Sequence, residues 1–83
     1  KFSAYVRMEA LDKYGVLSNI TKIFSQNKVS IKRIIQNPYK SKKNASIVII
    51  THKSKESSLM TTVKKLSKKN YILKKPNLIR IED

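Results

Sequence analysis

Phe2-Ser3-Ala4-Tyr5-Val6-Arg7-Met8-Glu9-Ala10-Leu11-Asp12-Lys13-Tyr14-Gly15-Val16-Leu17 changes its hydrophobic period once, and that change organises the chain. Residues 2–9 alternate, with Phe2, Ala4, Val6 and Met8 on one face and Ser3, Tyr5, Arg7 and Glu9 on the other. Such alternation marks a half-buried strand. Leu11-Asp12-Lys13-Tyr14-Gly15 reads as a turn closed by the only glycine of the chain. From Val16 the spacing becomes helical: Val16, Leu17, Ile20, Ile23 and Phe24 share one face, with Asn19, Lys22 and Gln26 opposite, and Asn27-Lys28 ends the helix.

Working outward, residues 29–36 are β-rich, with a slip of alternation at Ile34-Ile35 that predicts a bulge or a change of face there. Asn37-Pro38 and the Lys40-Ser41-Lys42-Lys43-Asn44 tip form a polar hairpin connection. Residues 45–51 then run almost continuously apolar, as a central strand does. Ser54 is placed to cap a second helix, with Glu56 in its first turn and Leu59, Met60, Val63 and Leu66 as its apolar face. Residues 71–81 make a last strand that Pro76 confines to an edge or interrupts. The order strand, helix, strand, strand, helix, strand predicts two interleaved right-handed crossovers. The expected fold is α+β: a ferredoxin-like sandwich, with a four-stranded antiparallel sheet and both helices on one face.

Eighty-three residues make one domain, 1–83, with one modest core, so a small ligand is expected at an edge or between two copies. Without cysteine there are no disulfides, thiolate metal sites or cysteine nucleophiles, and the single histidine, His52, argues against His-rich metal sites. No nucleophile with a base and no paired carboxylates stand out, so no catalytic residues are assigned. No apolar run approaches the length of a membrane span, and no signal peptide opens the chain, so a cytoplasmic setting is expected. The first residue is Lys1, which suggests a piece of a longer polypeptide rather than an autonomous enzyme.

Nineteen Lys and Arg against five Asp and Glu give a net charge of +14. This suits a polyanion partner. The same composition also follows from an A/T-rich genome, since Lys, Ile and Asn, with their A/T-rich codons, fill 33 of the 83 positions. An RNA-recognition reading of the fold needs aromatic side chains on the two central strands for base stacking. Ser46, Ile47, Val48, Ile49 and Ile50 offer none, and Tyr5 stands alone, so no specific nucleic-acid binding is expected. Both faces of that strand are apolar, yet helices cover only one. Either Ile47 and Ile49 or Val48 and Ile50 therefore face away, to be covered by a second copy or by the rest of a parent protein.

Asp12-Lys13-Tyr14-Gly15-Val16-Leu17 resembles the D-x-P-G-x-L signature of ACT domains, small ferredoxin-like modules that sense amino acids. Ile20-Thr21-Lys22-Ile23-Phe24 and Val29-Ser30-Ile31 follow at ACT spacing. Ile34-Ile35-Gln36-Asn37-Pro38, Ile47-Val48-Ile49-Ile50-Thr51-His52 and Pro76-Asn77-Leu78-Ile79-Arg80-Ile81-Glu82-Asp83 resemble the C-terminal regulatory region of bacterial homoserine dehydrogenases. One departure from the signature is Tyr14, where the family carries proline with its locked φ.

The resemblance implies regulation, with threonine as the feedback effector and a homodimer formed through a sheet edge or the open sheet face. The parent it implies interconverts aspartate semialdehyde and homoserine with NAD(P), whose site would lie in an upstream domain and not in these residues. An ACT domain of another enzyme, such as an aspartokinase or an alarmone synthetase, is the neighbouring reading. A basic RNA- or anion-binding module is the reading from a different class. In ACT domains that bind effectors, an amino acid lodges between the first-strand loop of one copy and strands of its partner. The implied effector-binding residues are Asp12, Gly15, Val16, Leu17, Ser30 and Ile31. Gly15 can take φ > 0, admit close approach of a ligand, or both. Amides at Val16, Leu17 and Ser18 suit an α-carboxylate or water. Asp12 can pair with an α-ammonium or serve as an Asx-turn acceptor. Ser30 stands where serine-sensing relatives carry asparagine, and Ala10 where some relatives place histidine. Gln36 can reach toward a partner or remain solvated.

Overall fold

The computed structural model describes residues 1–38 and 43–81. Its elements are β1 (Ser3–Leu11), α1 (Val16–Gln26), β2 (Ile31–Pro38), β3 (Asn44–Thr51), α2 (Glu56–Ser67) and β4 (Ile72–Ile81). The strands form one antiparallel sheet in the order β2-β3-β1-β4, the ferredoxin-like arrangement expected. The expected hairpin tip falls largely outside the described residues, as do Glu82 and Asp83.

Register decides which face of β3 is covered. Val6 lies opposite Ile49 and Met8 opposite Ile47, so these four side chains point the same way. With Ala4, Ala10 and Ala45 they meet Val16, Ile20, Ile23 and Phe24 of α1 and Leu59 and Leu66 of α2. All of these are buried. Each large aliphatic or aromatic side chain so buried is worth roughly 1.5–3 kcal/mol. Val48 and Ile50 therefore lie on the open face. Thr51 is a polar side chain buried inside: its Oγ1 accepts the Ala4 N–H at 3.0 Å, giving that buried amide a partner at the start of β1.

Several local expectations are corrected by tertiary contacts. Ser54 is not the cap of α2. It exchanges backbone hydrogen bonds with Phe2 at 3.0 and 2.9 Å, and its Oγ donates to the His52 carbonyl, so the cap position falls to Lys55. Met60 is exposed, and Thr62 is buried in its place. The Thr62 hydroxyl can be buried because it donates to the Ser58 carbonyl at 2.8 Å. The irregularity of β2 lies between Ile31 and Arg33 rather than at Ile34-Ile35. Pro76 sits on an edge strand, and the β1–β4 pairing shifts register between Arg7 and Glu9 beside it. Both ways of accommodating that proline are used. Among the described residues, no helix is long and apolar enough to cross a membrane.

Candidate functional site

Gly15 adopts φ 81° and ψ −14°, and the Val16 N–H donates to the Lys13 carbonyl at 3.2 Å. An i+3 to i bond with the third residue near +80°, 0° is a type II turn. Lys13-Tyr14-Gly15-Val16 is therefore such a turn, set directly on the N-terminus of α1. A Cβ added to Gly15 would meet nothing within 4 Å. The dihedral angle, not crowding, selects glycine here, and the open space leaves the backbone accessible.

The turn changes the expected amide inventory. Val16 is not free, because its N–H closes the turn, and its side chain is buried in the core. The first helical bond runs from the Asn19 N–H to the Gly15 carbonyl at 2.9 Å. That leaves the Leu17 and Ser18 amides without a hydrogen-bond partner among the described residues. No side chain caps α1 and no acidic residue lies in its first turn. These amides present the partial positive charge of a helix N-terminus to whatever occupies the space before them.

Asp12 is anchored through its backbone, donating to the Lys43 carbonyl at 2.7 Å. Its Oδ1 accepts a long 3.4 Å hydrogen bond from Gln36 Nε2 on β2. The carboxylate is thus not an Asx-turn acceptor, and most of its lone pairs remain open. Gln36 is the residue that sequence reasoning undervalued, since its neighbour lies 24 positions away. Asp12, Lys13, Tyr14, Gly15, Leu17 and Gln36 line one shallow cleft. An anion, a cation, the unpartnered Leu17 amide, an aliphatic and an aromatic side chain converge there, which suits a small zwitterion with an apolar portion.

Ser30 and Ile31 lie elsewhere in the same copy. The Ser30 carbonyl accepts the His52 N–H at 2.9 Å, and Ile31 pairs with Thr51. They line a separate depression with Thr21, Ser25, Lys28 and Val29. Gln36 is five residues along β2 from Ile31, roughly 17 Å at strand rise. One copy therefore brings Asp12, Gly15 and Leu17 to one cleft, buries Val16 behind it, and leaves Ser30 and Ile31 at the far end of β2. Among the described residues, no group of three or more His, Asp or Glu could hold a metal ion.

Residues 6–74 match the family model described as the AHAS small subunit-like ACT domain. Homoserine dehydrogenase of Helicobacter pylori is 32% identical over 79 residues, covering 95% of this chain and 19% of that protein. The crystal structure of a homoserine dehydrogenase from Thiobacillus denitrificans superposes with a TM-score of 0.87 at 28% identity, over 99% of this chain and 18% of that one. The ACT domain of the GTP pyrophosphokinase of Chlorobium tepidum superposes with a TM-score of 0.71 at 22% identity, over 96% of this chain and 97% of that one, a likeness of fold. The chain thus spans about one fifth of the length of the curated relatives it matches.

Proposed function

Since the chain belongs to the ACT domain family, we propose that it is the amino-acid-sensing regulatory domain of a homoserine dehydrogenase-type enzyme, with threonine as its feedback effector. The similarity to homoserine dehydrogenases across nearly the whole chain supports the parent. Threonine follows as the end product of the pathway in which such an enzyme works. Dehydrogenase chemistry and its nicotinamide cofactor belong to a domain outside these residues, in a cytoplasmic enzyme.

The observation that carries the reading is the type II turn at Lys13–Val16, after which the Leu17 and Ser18 amides have no partner among the described residues, with Leu17 lining the same cleft as Asp12. The amides receive the effector's carboxylate and Asp12 its ammonium. A dimer through the β2 edge completes the site. β2 is an edge strand, so its outer backbone groups are free to pair. Antiparallel pairing of β2 with the same strand of a second copy brings the partner's Ser30 and the partner's Ile31 to the Gln36 end, beside Asp12. The two halves of the site, far apart in one copy, then meet.

Calorimetry with threonine tests the proposal, alongside other aspartate-family amino acids. Threonine binds, and Asp12→Ala weakens it by about ten- to a hundred-fold, the loss of a charge-assisted hydrogen bond of roughly 1.5–3 kcal/mol. Binding that ignores Asp12→Ala places the site elsewhere, and a silent titration in the dimeric protein refutes sensing. Because net charge opposes association, dimerisation strengthens as salt screens it; dissociation by salt would refute edge pairing as the main contact.

A further inference from the structure

The open face of the sheet is unused by the effector site and by the β2 edge. Register arranges it in rows. Arg33, Ile50, Tyr5 and Ile79 lie side by side across the four strands, and Ile35, Val48, Arg7 and Asn77 form the next row. Ile79 is 52% exposed, and Tyr5, Ile35 and Ile50 are half-buried with no helix above them. The third row holds the only acid of these strands' open face, Glu9, which pairs with Lys74 at 3.0 Å.

Cation identity is the informative feature. The chain uses sixteen lysines and three arginines, yet two of the arginines, Arg7 and Arg33, stand on this face. Neither makes an ion pair with a described residue. A composition biased to lysine does not account for arginine concentrated beside the exposed Ile79 and the half-buried Ile35 and Ile50. Planar guanidinium forks suit bidentate carboxylate recognition, and arginine and tyrosine beside aliphatics are the composition of a docking centre. A second copy is a poor occupant, because face-to-face pairing about a twofold axis sets Arg7 and Arg33 of one copy against those of the other. We infer that the open face, through Arg7 and Arg33 flanking Tyr5, Ile50 and Ile79, docks on a carboxylate-rimmed apolar surface of the enzyme body to which the domain is joined. This rests on the reading above that such a body exists.

Met60, on the outer side of α2, is 55% exposed and serves as a matched control for Ile79. In the full-length polypeptide, Ile79→Cys and Met60→Cys are labelled with a thiol reagent and the sites read by peptide mass. The Ile79→Cys site reacts about tenfold or more slowly than the Met60→Cys site, because a docked centre excludes solvent. Adding Arg7→Glu and Arg33→Glu brings the two rates together. Equal rates without the charge reversal overturn the inference, as does protection that disappears on dilution, which means a second copy. A native polypeptide of only 9.6 kDa overturns it at the outset. Protection of Ile79→Cys without any threonine response leaves the docking intact and refutes only the effector.

Discussion

Tyr14→Pro probes the turn on which the site is built. In the type II turn Lys13-Tyr14-Gly15-Val16, Tyr14 holds the second position, where φ lies near −60° and proline is favoured. Its side chain is fully exposed, and its N–H has no hydrogen-bond partner among the described residues, so proline removes neither packing nor a bond. Lys13 precedes it outside any helix, where the extended bias before proline is tolerated. The gain comes from the unfolded chain, which loses freedom: about 0.4–1 kcal/mol. For a domain of this size that is a rise in Tm of roughly 2–8 °C. The opposite perturbation is Gly15→Ala. Space is available, but a Cβ at φ 81° costs roughly 1–2 kcal/mol, so Tm falls by several degrees. Far-ultraviolet circular dichroism during thermal and urea denaturation measures both. A Tyr14→Pro variant less stable than the parent, or a Gly15→Ala variant without cost, would refute the type II assignment. The same stiffening strengthens threonine binding, since less of the loop remains to be ordered.

Thr51→Val removes the acceptor of the buried Ala4 amide while keeping the shape, and costs about 1–3 kcal/mol in urea denaturation; an unchanged midpoint would mean the amide finds another partner. Burial raises the Tyr71 phenol above its ordinary 10.0, so the folded state holds that proton more tightly than the unfolded chain. Its contribution is therefore fully present below pH 10 and lost as pH rises through the folded value. Tyr71→Phe flattens the alkaline limb of a stability profile, and an identical limb in the variant would contradict this. Nucleic acid binds only at low salt and without sequence preference, because lysines release counterions while Tyr5 is alone as an aromatic among the described residues of the open face. Filter binding that survives physiological salt and discriminates sequence would reverse the assignment.

Whatever depends on neighbours in the chain was legible in the sequence. The alternation of residues 2–9, the helical spacing from Val16 and the lone glycine between them placed β1, α1 and the turn, because period and φ > 0 are local properties. That Asp12 and Gly15 belong to one loop at the start of α1 was legible for the same reason, through a six-residue signature. The rest was decided by contacts between distant segments. Both faces of β3 are apolar, so only its register against β1 could send Ile47 and Ile49 inward and Val48 and Ile50 outward. Ser54 carried the local chemistry of a helix cap, but pairing with Phe2 claimed its backbone. Thr62 displaced Met60 from the buried face of α2 because the helix itself supplied an acceptor for the hydroxyl. Gln36 reached Asp12 only once β2 was folded alongside β3. Ser30 and Ile31 share the implied site with Asp12, yet strand rise holds them at opposite ends of β2. A rigid strand keeps its ends apart, so no single copy can bring those two halves together.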